Sequence, residues 1–206
     1  MMDRAIDREQ IELLKNWWNE YGKAILIAIV VGLAMGYGWR FWQQHKMERA
    51  VAASNLYQEL LIDLQSNPNA VKDSAQQLVS QYPSTPYASM ASLILAKQQV
   101  ADNQLADATQ SLQWVVIHSN SAALQQVARI REARVLIAKQ QPEQAIKILQ
   151  TVNDATFAPL IDDAMGDAYK AMGQNAQAQN YYQQASIGLA QAQINNPFLS
   201  LKASQP

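Results

Sequence analysis

The chain has 206 residues, a net charge of −1 and no cysteine. The near-neutral balance offers no field for nucleic acid, and the lack of cysteine excludes a disulfide framework, zinc knuckles and a thiol nucleophile. Gln and Ala are abundant, while Gly and Pro are sparse. Leu, Ile and Val recur every three or four residues without a long alternating run, which predicts an all-helical protein.

Residues 1–20, MMDRAIDREQIELLKNWWNE, mix acids and bases and are too polar to insert into lipid. They are read as a tail, with Ile11, Leu14, Trp17 and Trp18 on one face of a short interfacial helix. The next sixteen residues without charge, Ala24 to Trp39, cover about 24 Å as a helix, against a hydrocarbon core of about 30 Å. Lys23 and Arg40 can snorkel and extend the usable helix to residues 21–42. Trp17, Trp18 and Tyr21 at one end, and Trp39, Phe41 and Trp42 at the other, suit the two membrane interfaces. A single N-terminal transmembrane helix over 21–42 is therefore expected.

Two alternatives bear on that helix. Ala34-Met35-Gly36 and Gly36-Tyr37-Gly38 are small-x-small triplets of the kind a signal peptidase cuts. Five acids upstream, and the bulky, helix-prone WRFWQQHKMERA downstream, favour an uncleaved signal anchor instead. Four cations precede the run and three follow it, so charge leaves the orientation open. Ala24, Ala28, Gly32 and Gly36 recur at four-residue intervals and form one small-residue stripe, where a second helix backbone can approach. The stripe is a candidate protein-binding face; its spacing does not say whether the partner is a second copy or another protein.

Residues 43–67 continue as a connecting helix with Ala53, Leu56, Tyr57, Leu60, Leu61 and Leu64 on one face, ended by Asn67-Pro68-Asn69. It reads as the first helix of the domain that follows, residues 68–206. That domain repeats. In MGDAYKAMGQNAQAQNYYQQA, residues 165–185, Gly166, Tyr169, Ala178, Tyr182 and Ala185 have the spacing of a tetratricopeptide repeat, with Gly173 at the turn between two helices. Ala133, Leu136, Ala145, Leu149 and Val152 fill the same slots one copy earlier, with Pro142 opening the second helix. Ala96, Ala108, Leu112 and Val115 form the copy before that, and Ala75, Val79 and Tyr82 a degenerate first one. The second-helix Ala thus falls at 75, 108, 145 and 178, at intervals of 33, 37 and 33. The longer interval places its extra residues in the polar segment 118–123. Three to four stacked helix pairs predict a short right-handed α-solenoid.

No set of residues points to catalysis. His45 and His118 are the two histidines and read as solvated; no phosphate-binding Gly-rich loop occurs. Asp162, Asp163 and Asp167 read as a solvated acidic face rather than a metal site, and Arg129, Arg131 and Arg134 as a helix surface with room for acidic partners. No enzyme activity, cofactor or metal is expected. Aligning the copies on Ala96, Ala133 and Gly166 turns nine first-helix residues toward the concave side: Met90, Leu93, Lys97, Val127, Ile130, Arg134, Leu160, Asp163 and Asp167. These are the candidate protein-binding positions, set against a reading in which part of the apolar subset is core or covered by the helix at 47–64. The basic, Asn-bearing pattern that clamps a peptide C-terminus is missing, which favours an extended polypeptide as ligand.

Taken along its length, the chain resembles the YfgM family, ancillary subunits of the bacterial SecYEG translocon. The residues carrying the resemblance are GKA at 22–24, GWRFW at 38–42, ASLILAKQQVADNQLADA at 91–108, VARIREARVLIAKQQPEQAIKILQ at 127–150 and QINN at 193–196. The resemblance implies an uncleaved signal anchor in the bacterial inner membrane, a cytoplasmic N-terminus and a periplasmic repeat domain. It implies association with the SecYEG translocon, with the membrane-anchored chaperone PpiD and with exported client polypeptides passing toward periplasmic chaperones. The competing expectation is a general cell-envelope scaffold, or a regulator that binds a signalling protein through its tail.

Overall fold

The structure is a computed structural model. It describes residues 3–67, 70–194 and 196–204, and for residues 3–14, 16, 19, 24, 25, 28, 29, 200 and 204 the backbone alone. The chain divides into two compact units, Met1–Arg49 and Ala50–Pro206.

The first unit is helical. Its described residues belong to α1 (Asp3–Ser66). Leu26, Ile27, Val30, Val31, Leu33 and Met35 all point outward and are exposed. Aromatic side chains gather toward both ends of the apolar run: Trp17 lies 6.1 Å from Tyr21, Trp39 lies 5.4 Å from Trp42, and the Lys46 ammonium sits 4.0 Å above the Trp42 ring. Among the described residues no helix is long and apolar enough to cross a membrane. The expected span at 21–42 includes Ala24, Ile25, Ala28 and Ile29, whose side chains lie outside the described residues.

The second unit is a stack of paired helices. After the end of α1 come α2 (Ala70–Gln81), α3 (Pro86–Ala101), α4 (Leu105–His118), α5 (Ala122–Ala138), α6 (Pro142–Leu149), a 3-10 turn (Ala155–Phe157), α7 (Ala158–Ala171), α8 (Asn175–Gln191) and α9 (Pro197–Ser204). From α2 onward each helix packs on the next, and α5 also packs on both α3 and α7. Local chemistry sets the starts. Thr85 Oγ1 accepts from the Ala88 N–H at 3.4 Å, with Pro86 in the first helical position, and Ser121 Oγ accepts from the Leu124 N–H at 3.4 Å.

The turns inside the pairs share one conformation. Asn103, Gln140 and Gly173 have φ of 57°, 61° and 76°, and Gln193 after α8 has 58°. In each, the next N–H reaches back five residues to a helix carbonyl: Gln104 to Gln99, Gln141 to Leu136, Gln174 to Tyr169 and Ile194 to Leu189, all at 2.7–2.9 Å. These bonds satisfy carbonyls that the helix end leaves free.

Small residues let the helices close up. The repeated Ala75, Ala108, Ala145 and Ala178 are all buried. So are Ala96, Ala133 and Gly166 on the first helices. Larger side chains fill the remaining space: Leu60, Val71 and Leu78 at the start, Leu112 and Val115 next, then Leu149, and Tyr182 at the end.

One expectation is corrected here. The extra residues between Ala108 and Ala145 do not lengthen a loop at 118–123. The α4 helix runs on to His118, ten residues past Ala108, whereas α2 ends at Gln81, six residues past Ala75. The stretch SLQWVVIH holds no helix breaker before Ser119, so α4 gains a turn, on which His118 stacks at 4.7 Å from Trp114.

Candidate protein-binding interface

The first helices of successive pairs, α3, α5 and α7, lie side by side. The nine positions expected on their common face fall into three groups. Leu93 and Ile130 are only 7% and 3% exposed and belong to the core. Leu93 packs with Ala96, Ala108 and Leu112, and Ile130 with Ala133, Leu136 and Met165. The small Ala96 and Ala133, three residues on along the same face, admit neighbouring helices that cover the preceding turn. These two side chains are therefore removed from the open face.

Met90 and Val127 are half-buried, and Lys97, Arg134 and Leu160 are exposed. Lys97 borders a slot of about 390 Å³ between α3, α4 and α5, with Leu93, Leu112 and Val135 beneath and Val100 and Arg131 at the edge.

Asp163 and Asp167 form the third group, and they are not a freely solvated face. Arg134 Nη2 donates to Asp163 Oδ2 at 2.9 Å. Lys202 Nζ, from α9, donates to Asp163 Oδ1 at 2.8 Å and to Asp167 Oδ1 at 2.6 Å. The Tyr182 hydroxyl donates to Asp167 Oδ1 at 2.9 Å, and the Lys202 ammonium lies 5.3 Å from that ring's centre. Burial pushes the Tyr182 hydroxyl pKa up, and the Asp167 charge pushes it further. For Lys202, burial opposes the charged form, but hydrogen bonds and charge from Asp163 and Asp167 outweigh it and the pKa rises. Neighbouring Asp162 is raised by burial.

Sequence reasoning missed Lys202 and the helix that carries it. The usable signal was Asn196-Pro197, a cap followed by a first-turn proline, with Leu199 and Ala203 four apart. Asn196 Oδ1 accepts from the Phe198 N–H at 3.2 Å, and Leu199 is buried against Ala178, Tyr182, Ala185 and Leu189.

In the first unit, Gly32 and Gly36 have open space where a side chain would stand: an added Cβ would meet nothing within 4 Å. Leu33, Tyr37 and Arg40 border this notch. Ala24 and Ala28, the other two members of the stripe, have side chains outside the described residues. Gly22 differs, because the Trp18 ring lies 3.2 Å from its added Cβ. Among the described residues no group of three or more His, Asp and Glu side chains is arranged to hold a metal ion.

Residues 15–205 match a family model described as a tetratricopeptide repeat-like domain. A protein of Haemophilus influenzae named ancillary SecYEG translocon subunit is 31% identical over 89% of this chain and 91% of its own. Its namesake in Escherichia coli strain K12 is 29% identical over 86% of this chain and 85% of its own. Among solved structures, that of MamA protein matches with a TM-score of 0.56 at 15% identity, over 68% of this chain and 75% of that one, a likeness of fold. The helix pairs, their buried small residues and the match along nearly the whole length agree: the chain belongs to the family of ancillary SecYEG translocon subunits, with a tetratricopeptide repeat-like domain.

Proposed function

We propose that this protein is a non-catalytic, membrane-anchored adaptor of the SecYEG translocon. Residues 21–42 hold it in the bacterial inner membrane, with residues 1–20 in the cytoplasm and the solenoid in the periplasm. The solenoid receives exported polypeptides, or a PpiD-type chaperone, near the translocon exit and aids transfer to periplasmic chaperones. The relatives' names support the translocon as partner.

The observation that carries the anchor is the outward apolar surface of the first unit. Leu26, Ile27, Val30, Leu33 and Met35 are each more than half exposed on consecutive turns of one helix. In water such a patch costs about 25 cal/mol for each Å² left unburied, and continuous apolar patches of that kind mark a membrane or partner contact. Lipid removes the cost. The notch at Gly32 and Gly36 supports lateral docking of a second helix, because packing contacts rather than hydrophobicity drive helix association in lipid.

The test replaces Gly32 and Gly36 together with Leu and compares crosslinks to the translocon in isolated membranes. The double variant is expected to remain in the membrane fraction and to lose its translocon crosslink. A crosslink of undiminished yield would refute docking through the stripe, and release by alkaline carbonate would refute the anchor.

A further inference from the structure

The solenoid face that carries Lys97 has an opening whose charge no described residue neutralises. Leu93, Leu112 and Val135 form its floor and Val100 an exposed apolar wall. Its volume of about 390 Å³ lies near the lower end of the roughly 300–1,000 Å³ found for ligand sites, a size for one or two side chains. Lys97 borders it from α3 and Arg131 from α5.

Those two cations differ from the charges that meet at α7 and α9. There Arg134 pairs with Asp163, and Lys202 of α9 pairs with both Asp163 and Asp167. Lys97 and Arg131 are exposed and form no ion pair with any described residue. The acids nearest in sequence are engaged elsewhere. Glu132 is buried and accepts from Gln113 Nε2 at 2.7 Å, and Asp102 accepts from Gln98 Nε2 at 3.2 Å. The charge left over at the slot is positive, although the whole chain carries −1.

We propose that this slot binds an acidic peptide segment through one bulky aliphatic or aromatic side chain, with flanking carboxylates on Lys97 and Arg131. This rests on the reading of the solenoid as a protein-binding domain and names the chemistry of its ligand. The Arg131 guanidinium presents a planar fork that matches a carboxylate, and Lys97 adds a mobile point charge. Val127 stands four residues before Arg131, and Met90 seven before Lys97, so half-buried apolar surface continues along the same faces of α5 and α3. An extended chain can follow that surface. A fatty acid shares the anionic and apolar character, but the slot is open to solvent rather than enclosed, which suits a polypeptide segment better.

The experiment uses the full chain in detergent micelles and fluorescence anisotropy with short labelled peptides of equal length. One carries a Phe flanked by Glu, one a Phe flanked by Lys, and one a Ser flanked by Glu. The Glu-Phe peptide is expected to bind tightest. Lys97→Glu combined with Arg131→Glu should weaken it by at least about tenfold and strengthen the Lys-Phe peptide, as expected for charge complementarity at an interface. Lys97→Gln with Arg131→Gln, which carries no new repulsion, should give an intermediate loss. Equal binding of the Glu and Lys peptides, unchanged affinity in the charge-reversed chain, no peptide binding at all, or full displacement by dodecanoate would each overturn the proposal. Photocrosslinking from Met90 in cells separates the two levels. Polypeptide crosslinks that survive charge reversal leave the protein-binding reading standing and remove the acidic ligand; their absence in the unaltered chain removes both.

Discussion

Gly166 in the solenoid and Gly32 with Gly36 in the N-terminal helix are the same residue in opposite surroundings. A Cβ on Gly166 would stand 2.5 Å from Cδ1 of Tyr182, whereas at Gly32 and Gly36 it would meet nothing within 4 Å. In the repeats, small residues are filled by the chain's own helices, and the resulting core is closed. In the first unit the space at Gly32 and Gly36 stays open, and Leu26, Ile27, Val30, Leu33 and Met35 are exposed. Small residues thus serve close packing at Gly166 and leave an open surface at Gly32 and Gly36. The inference applies to function because the exposed apolar area in the first unit is unfavourable until lipid or another helix covers it.

The comparison breaks most visibly at Gly166. Tyr182 is buried and held by its hydrogen bond to Asp167, so its ring has little freedom to yield. Gly166→Ala is expected to cost about 1–3 kcal/mol by overpacking, read as a lower urea midpoint for the full chain in detergent. Unchanged stability would show that the last helix pair is looser than its contacts indicate.

Next in size is the clamp from α9. Lys202→Met should cost about 1–2 kcal/mol, because it leaves two partly buried carboxylates without their shared donor. Lys202 and Tyr182 both have folded-state pKa values above their unfolded ones. Their stabilising effect is therefore complete below about pH 10 and fades as the pH rises through the folded values. Urea melts from pH 8 to 11 should show the unaltered chain losing stability above pH 10, and Lys202→Met losing less over the same range.

A gain is expected at Gln140, a non-glycine residue at φ 61°. Gln140→Gly should stabilise by roughly 0.5–1 kcal/mol, since relief of the left-handed strain exceeds glycine's added chain entropy. The same change at the structurally matching Asn103 should gain less, because Asn tolerates that conformation. The smallest effect sharpens the contrast from the other side. Gly32→Leu with Gly36→Leu should leave the solenoid's urea midpoint within about 0.5 kcal/mol, since those positions touch nothing in their own unit.

These cases also mark what the sequence made legible. The helix pairs could be read from Ala75, Ala108, Ala145 and Ala178 because close helix approach restricts residue type at those slots. The turns were legible only at Gly173. At Asn103 and Gln140 the backbone hydrogen bonds fix the left-handed conformation and leave residue identity permissive, so no glycine flags them. Leu93 and Ile130 were assigned to the face by spacing alone, and spacing does not tell how far a neighbouring helix reaches over a turn. Lys202 escaped because its partners lie 35 and 39 residues away in sequence, and no local pattern encodes a pairing at that range. The charges of Lys97 and Arg131 are visible in the sequence, but that no described residue forms an ion pair with them shows only in the fold.

The proposed function requires that the solenoid meet other polypeptides while the N-terminal helix is held at the translocon. The most direct measurement is site-specific photocrosslinking in cells exporting a translocation-arrested secretory protein, with the reactive group at Lys97 or Val127. Both positions lie on the candidate face outside the buried core. Crosslinks are expected from these positions to the arrested polypeptide or to a periplasmic chaperone, and none from the control Lys147, exposed on α6. Crosslinks confined to the protein's own chain, or equal yields from Lys147, would contradict it.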